Sequence, residues 1–182
     1  MDYPRVTEIL QPFSGIEFVP KDKLEKAAAR GTKVHSICSG MARGLWIAET
    51  EIDEELRGYV ESFKKWQGAQ VESFEIIEKR FTSTLDKFTG QIDFLITTSQ
   101  GSSCLVDIKT TYRPQKTHPI QLAAYEILLN ENKIYPNNSM VVYLSKDGDF
   151  PEINFIEDIR EPRIVFLSAL KCWHYFHKKK GQ

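Results

Sequence analysis

Residues 90–110 read GQIDFLITTSQGSSCLVDIKT, two apolar runs on either side of a polar turn containing Gly and Ser. Runs of Ile, Leu, Val and Phe around such a turn predict a β-hairpin. The first run carries Asp93 and the second Asp107, with Lys109 two residues beyond it. Side chains alternate across a strand, so Asp107 and Lys109 share a face. A hairpin symmetric about Gln100 sets Asp93 directly opposite Asp107, and opposed residues project on the same face with Cβ atoms about 5 Å apart. Two facing carboxylates in an apolar sheet repel each other and are poorly solvated. A divalent cation with oxygen ligands is the simplest partner that makes the pair tolerable. A lysine beside it could orient a water molecule or meet a phosphate.

Upstream of the hairpin, Val71 to Ser83 reads as extended, with Leu85 to Phe88 as a third strand segment. Glu78 would share a face with Ile76 and Arg80, either as half of a surface ion pair or as an acid near the carboxylate site. Glu54 to Gln67 is a helical pattern with Leu56, Tyr59, Val60, Phe63 and Trp66 on one side. Before it, Leu24, Ala27, Gly31, Val34, Cys38, Met41 and Leu45 recur at steps of three and four and mark one buried helix seam. Asp22 and Glu25 resemble a capping box at its start. Gly31 weakens this helix unless something packs closely there. His35 lies beside the seam, and a lone helical histidine gains meaning only if other ligands converge on it. The chain opens with a short element from Tyr3 to Leu10, ended by Pro12, and a loop from Gly15 to Pro20.

Downstream, Thr110 to Lys116 is a loop, and Thr117 can cap a helix running from His118 to about Asn130. Gln121 and Tyr125, four apart, share a face of it. Met140 to Leu144 and Ile153 to Ile156 read as strands. A final amphipathic helix begins near Pro162 and ends at Phe176, with Phe166, Leu170, Trp173 and Phe176 turned inward. The basic run from His177 to Lys180 reads as a solvated tail. This order of elements predicts an α/β fold, a mixed central sheet flanked by helices.

The chain of 182 residues, 41% hydrophobic and 27% charged, suits one soluble globular domain over 1–182. Its net charge of −1 means that a polyanion would have to meet a local basic patch. Lys109, Arg113 and Lys116, with the first-turn amides of the helix after them, predict such a patch across Thr110 to Thr117. Cys38, Cys104 and Cys172 form no CxxC pair, which argues against a zinc ribbon or a disulfide framework and for a reduced, cytoplasmic setting. No apolar run approaches a membrane span, and no apolar signal core opens the chain.

Gly90-x-x-Asp93, Asp107-Ile108-Lys109 and Gln121-x-x-x-Tyr125, in this order, resemble the PD-(D/E)XK nuclease superfamily. More narrowly they resemble its branch of RecB-type nuclease domains, lambda-type exonucleases and the mitochondrial genome maintenance exonuclease. Gly31-Thr32-Lys33-Val34-His35 matches that branch's Gly-x-x-x-His helix pattern, and Tyr3 to Leu10 is similar to its proline-x-valine-threonine start. The resemblance runs from Tyr3 to about Tyr125 and implies a restriction-endonuclease-like core. It implies that His35, Asp93 and Asp107 bind Mg²⁺ or Mn²⁺, with the Ile108 carbonyl as a further ligand, and that Lys109 is the catalytic lysine. Glu78 matches an acidic residue of some members, and Gln121 and Tyr125 would lie along the substrate groove. Tyr125 could instead only pack in the core. Three scattered cysteines depart from the four-cysteine iron–sulfur cluster of several relatives, so no such cluster is expected.

The implied chemistry is metal-assisted phosphodiester hydrolysis, and a histidine ligand favours Mn²⁺ relative to an all-oxygen site. The leading reading is a DNA exonuclease, phage- or prophage-derived or serving recombination and repair. The alternatives are a structure-specific or restriction-type endonuclease and a non-catalytic nucleic-acid-binding domain. Its partner would be DNA, as single strands or duplex ends, and beyond DNA a second copy of the chain or a recombination protein, with no membrane.

Overall fold

The computed structural model describes residues 3–15, 18–111 and 113–177. The strands are β1 (Val71–Ser83), β2 (Phe88–Thr98), β3 (Ser103–Lys109), β4 (Asn138–Tyr143) and β5 (Glu152–Phe155). They form a five-stranded sheet in the order β1-β2-β3-β4-β5. β1, β2 and β3 are antiparallel neighbours, β3 and β4 run parallel, and β5 returns antiparallel to β4. The helices are α1 (Val6–Leu10), α2 (Lys21–Ala42), α3 (Glu54–Gln70), α4 (Thr117–Glu131) and α5 (Arg160–Phe176). The parallel pair requires a crossover, and α4 supplies it. The fold is the α/β arrangement expected of a restriction-endonuclease-like core.

Two apolar cores lie on the two sheet faces. One joins Val34 and Cys38 of α2 and Leu56, Phe63 and Trp66 of α3 to Phe94, Val106, Ile108 and Val142. The other joins Val6 and Ile9 of α1, Leu122 and Leu128 of α4 and Phe166 and Leu170 of α5 to Leu105 and Val141. Burying each such side chain is worth about 1.5–3 kcal/mol, so the helix stripes read from the sequence are what dock. On β3, Cys104, Val106 and Ile108 face the α2–α3 core and Leu105 the other. Alternation therefore puts Asp107 and Lys109 on the α4 side.

Besides register shifts near the start of β1, between Val71 and Ser73 and between Phe74 and Ile76, the alternation slips on β1 and β2 together. Ile77 packs with the α2–α3 core, yet Phe81, of the same parity, belongs to the opposite one. Likewise Phe94 and Ile92 belong to opposite cores. Pairing runs through the slip, with Ile77 opposite Phe94 and Lys79 opposite Ile92. Glu78 and Asp93 are the positions between, and Glu78 has φ of +48°.

Several expectations are corrected. α2 begins at Lys21 behind Pro20 with no side-chain cap, so Asp22 and Glu25 are not a capping box; Glu25 lies 3.8 Å from Lys21 as an exposed pair. Leu45 lies past the end of α2 and is exposed. Leu85 is exposed in the turn between β1 and β2 and forms no third segment. Pro12 sits inside a 3-10 turn (Gln11–Phe13) that prolongs α1. Phe176 is exposed, while Trp173 packs partly against the core. His177 stacks on Trp173 with centroids 4.2 Å apart; Lys178 to Lys180 of the expected tail lie outside the described residues, as do Ile16, Glu17 and Tyr112 of the expected loops. Among the described residues no helix is long and apolar enough to cross a membrane.

Candidate active site

The β2–β3 ladder runs from Thr97 opposite Ser103 to Phe94 opposite Val106, a register symmetric about Gln100. Its next step would pair Asp93 with Asp107. There the Asp93 side chain takes over from the main chain: Oδ2 accepts from the Ile108 N–H at 2.9 Å. Asp93 and Asp107 are both buried.

His35 reaches this point from α2. Its Nε2 lies 3.0 Å from the Ile108 carbonyl, and its Nδ1 lies 3.4 Å from both Glu78 Oε1 and Asp93 Oδ1. An Nε2–H donated to Ile108 O fixes the ring and turns Nδ1 to the carboxylates, the second-shell arrangement usual for a ligating histidine. The Ile108 carbonyl, expected as a metal ligand, is thus an acceptor for His35.

One ligand atom each of His35, Glu78 and Asp93 lie within 4.8 Å of one another. This differs from the expected set of His35, Asp93 and Asp107. Lys109, on the same face as Asp107, sets Nζ 2.7 Å from Asp107 Oδ2. Gln121 Nε2 donates to Asp107 Oδ1 at 3.1 Å and to the Tyr125 hydroxyl at 2.7 Å, while its Oε1 accepts from Lys109 Nζ at 3.2 Å. Tyr125 is buried in the α1–α4–α5 core. Asp107 Oδ2, buried and in ion-pair range of Lys109, makes no hydrogen bond of proper geometry among the described residues. An imidazole nitrogen, clustered carboxylate oxygens and one buried oxygen with spare acceptor capacity fit a divalent cation such as Mg²⁺ or Mn²⁺.

The electrostatics agree with that donor set. Burial pulls the His35 imidazole down, but Asp93, Glu78 and Asp107 together hold it at about 10. Burial raises the Asp107 carboxyl to about 6, against the pull of Lys109 and with the repulsion of Asp93. Burial raises Asp93 too, but His35, Lys109 and the Ile108 N–H outweigh it and leave that carboxyl below its usual value. Burial lowers Lys109, and the two aspartates more than reverse this. An imidazolium between carboxylates is where a cation would sit.

These groups line a cleft of about 530 Å³. Thr32, Ser36 and Ser39 of α2, Arg43 just past its end and Gln91 of β2 also line it, and sequence reasoning missed them. Thr32, Ser39 and Arg43 stand three, four and eight residues from His35, a helical spacing that could have signalled them. Gln91 adjoins Gly90, and its Nε2 donates to Glu78 Oε2. Thr110 is buried, with its carbonyl 3.5 Å from Arg30 Nη2. Arg113 and Lys116 are exposed in the loop before α4 and do not line the cleft. Cys38 and Cys104 are buried and Cys172 is exposed on α5.

The family model described as the PD-(D/E)XK nuclease superfamily matches residues 19–165. No curated protein matches the chain. Among solved structures, the chain is similar to the crystal structure of SSO0001, with 18% identity and a TM-score of 0.41 over 57% of this chain and 52% of that one. It thus spans about half the length of that protein. It is also similar to the crystal structure of LHK-Exo in complex with dAMP, with 12% identity and a TM-score of 0.43 over 96% of this chain and 90% of that one.

Proposed function

This chain belongs to the PD-(D/E)XK nuclease superfamily, and from that premise we propose that it is a Mg²⁺- or Mn²⁺-dependent deoxyribonuclease, one domain over residues 1–182, that degrades DNA from its ends. The observation that carries the reading is the convergence of His35 Nδ1, Glu78 and Asp93 within 4.8 Å, beside the ion pair of Asp107 and Lys109 at 2.7 Å.

When bound, the cation supplies Lewis acidity toward a phosphate oxygen and lowers the pKa of water. Asp93, anchored by the Ile108 N–H, and Glu78 would hold it from two adjacent strands, and His35 would close the set from α2. Asp107 stands one step aside, its oxygens shared between Lys109 and Gln121. Lys109 is the charged donor beside Asp107 in the cleft. Held between Asp107 and Gln121, its ammonium is aimed rather than free, and it can orient the attacking water or meet negative charge developing on the phosphate. Gln121 is itself fixed by the Tyr125 hydroxyl, so α4 sets the lysine's aim. Thr110, Arg113 and Lys116 extend the substrate contact beyond the cleft. Mn²⁺ supports the higher activity because one ligand is an imidazole. The proposal extends to a reduced cytoplasmic setting and to a phage or prophage origin or a role in recombination and repair.

The test compares covalently closed circular DNA with linear DNA, each in Mg²⁺, Mn²⁺ and chelator. Degradation of linear DNA alone, abolished by chelator, is expected. Cleavage of circles would establish an endonuclease instead, and activity surviving exhaustive chelation would refute the metal mechanism. Asp93→Ala should abolish both cleavage and Mn²⁺ binding by calorimetric titration, whereas Lys109→Ala should abolish cleavage and keep the binding. Equal loss of metal affinity in both would overturn this division of roles.

A further inference from the structure

The cleft does not end at Gln91. A neck of about 150 Å³ continues from it, sharing Thr7, Gln91 and Tyr125 with the cleft and adding Arg5 and Arg80. The neck opens into a second chamber of about 530 Å³, sharing Arg5, Arg80 and Thr89 with it and ending on Tyr3 and Trp173. A single groove therefore leads from the candidate metal site to two aromatic side chains.

The groove is joined to the site by a chain of polar contacts. Gln91 Nε2 donates to Glu78 Oε2, and Arg80 Nη2 lies 3.5 Å from Gln91 Oε1. Arg80 stands directly opposite Gln91 in the β1–β2 register. Its guanidinium is thus one side chain removed from a candidate ligand. Arg80 has no ion pair among the described residues. Arg5, by contrast, is gripped by Glu8, with Nη2 to Oε1 at 2.7 Å. Trp173 lines the far end of the groove, one of its faces covered by the His177 ring at 4.2 Å and an interplanar angle of 8°.

Resting on the nuclease reading above, we propose that this groove is the path of one unpaired DNA strand, with Arg80 holding the phosphate next to the one under attack and Tyr3 and Trp173 stacking a base. The chemistry alternates as a single strand does: carboxylates for a metal-bound phosphate, a guanidinium for the next phosphate, then π-faces for a base. Proteins that bind unpaired strands combine such a positive track with aromatic platforms. Arg5 and Arg80 line the neck and the aromatic side chains the chamber beyond, so backbone charge and base faces meet separate parts of the groove. The substrate class is then DNA with an unpaired end or DNA that is single-stranded throughout.

The test is binding of a labelled oligothymidine and of a blunt duplex in Ca²⁺, read by fluorescence anisotropy. Arg80→Ala and Tyr3→Ala should each weaken strand binding about tenfold and leave duplex binding within roughly twofold. Arg80→Ala should also flatten the salt dependence by about 0.7 in log–log slope, as expected for one lost phosphate contact on a single strand. Lys79→Ala removes the same charge from the neighbouring residue, which does not line the groove, and should change nothing. Trp173 packs partly against the core, so Tyr3 is the aromatic tested, with melting temperature as the folding check. Equal losses on strand and duplex, no loss in either variant, or the same loss in Lys79→Ala would overturn the path. Binding is read without turnover. A protein that cleaves nothing yet shows the Arg80-dependent strand preference keeps the path and loses the nuclease reading. One that cleaves with Arg80 and Tyr3 irrelevant keeps the nuclease and loses the path.

Discussion

Glu78 stands within β1 at φ of +48°. A non-glycine residue in the left-handed region pays about 1–2 kcal/mol for the approach of its Cβ to the backbone. Such strain persists where the surroundings over-determine it and concentrates at functional sites. Here the turn of the backbone brings Glu78 Oε1 to 3.4 Å from His35 Nδ1. Glycine normally destabilises a strand by about 0.5–1 kcal/mol relative to alanine. At position 78 that order should fail: Glu78→Gly should be at least as stable as Glu78→Ala in urea unfolding, by up to about 1 kcal/mol, since glycine relieves the left-handed strain. Both should lose metal affinity. A clearly more stable alanine variant would show that the backbone at this point is unstrained.

At the scale of elements, the site depends on how α4 seats on the sheet. A Cβ at Gly90 would stand 2.8 Å from Tyr125 Cε1 and 2.9 Å from Leu128 Cδ1. Gly90→Ala should therefore push α4 outward, with a loss of about 1–3 kcal/mol as for other overpacked positions. Tyr125 positions Gln121, and Gln121 holds Lys109, so cleavage should fall at temperatures where the variant is still fully folded. Retained activity would show that α4 can shift without moving the lysine. The start of α4 carries a pH-sensitive clasp. His118 Nδ1 lies 2.8 Å from the Tyr143 hydroxyl and 3.4 Å from the Gln115 N–H. Accepting from both requires a neutral ring, and burial, with Lys109 in second place, pushes His118 down to about 4. Between the free value near 6.5 and the folded value, the unfolded chain binds the proton and the fold does not. Stability should thus fall as pH drops through this window, by roughly 3 kcal/mol at most from this group. His118→Asn, which keeps an acceptor near Nδ1, should flatten the urea-midpoint profile between pH 7 and 4.5. An unchanged slope would assign the loss to other groups.

For the whole molecule, a net charge of −1 conceals a cleft with Glu78, Asp93 and Asp107 set against His35 and Lys109. The His35 proton holds these carboxylates together, and a bound cation would displace it, so metal affinity should rise with pH. Because α2, β1 and β2 each supply a member of the set, binding should stabilise the fold as a unit. At a hundredfold excess over Kd the gain is about 2.7 kcal/mol, which for a domain of this size raises Tm by roughly 5–10 °C. Thermal melting in Mn²⁺ should show that rise in the wild type and lose it in Asp93→Ala. An equal rise in both would place the ion elsewhere.

Short-range regularities were legible in the sequence. The strand period of two and a turn centred on Gln100 were enough to give the β2–β3 register up to Phe94 opposite Val106, one step short of the two aspartates, and to set Lys109 beside Asp107, and the helical spacing of four was enough to pair Gln121 with Tyr125. Each of these depends only on backbone geometry within one element or across one turn. Which faces meet is a different matter, settled by the docking of α2 and α3 on one side of the sheet and α1, α4 and α5 on the other. The seam drawn through Leu45 and the inward stripe drawn to Phe176 continued a valid period past the point where a partner surface ends, so both residues are exposed. For Glu78 the sequence left two readings open, a surface ion pair or an acid near the carboxylates, because alternation along β1 cannot announce a residue at positive φ. Its place beside His35 follows from the slip that β1 and β2 make together. Asp107 turned toward Lys109 and Gln121 for a reason no spacing contains: a buried carboxylate takes the nearest positive charge and donor that packing supplies, and α4 supplied the donor. Local chemistry in the sequence determined which residues could act; the meeting of helix faces across a twisted sheet decided which of them stand together.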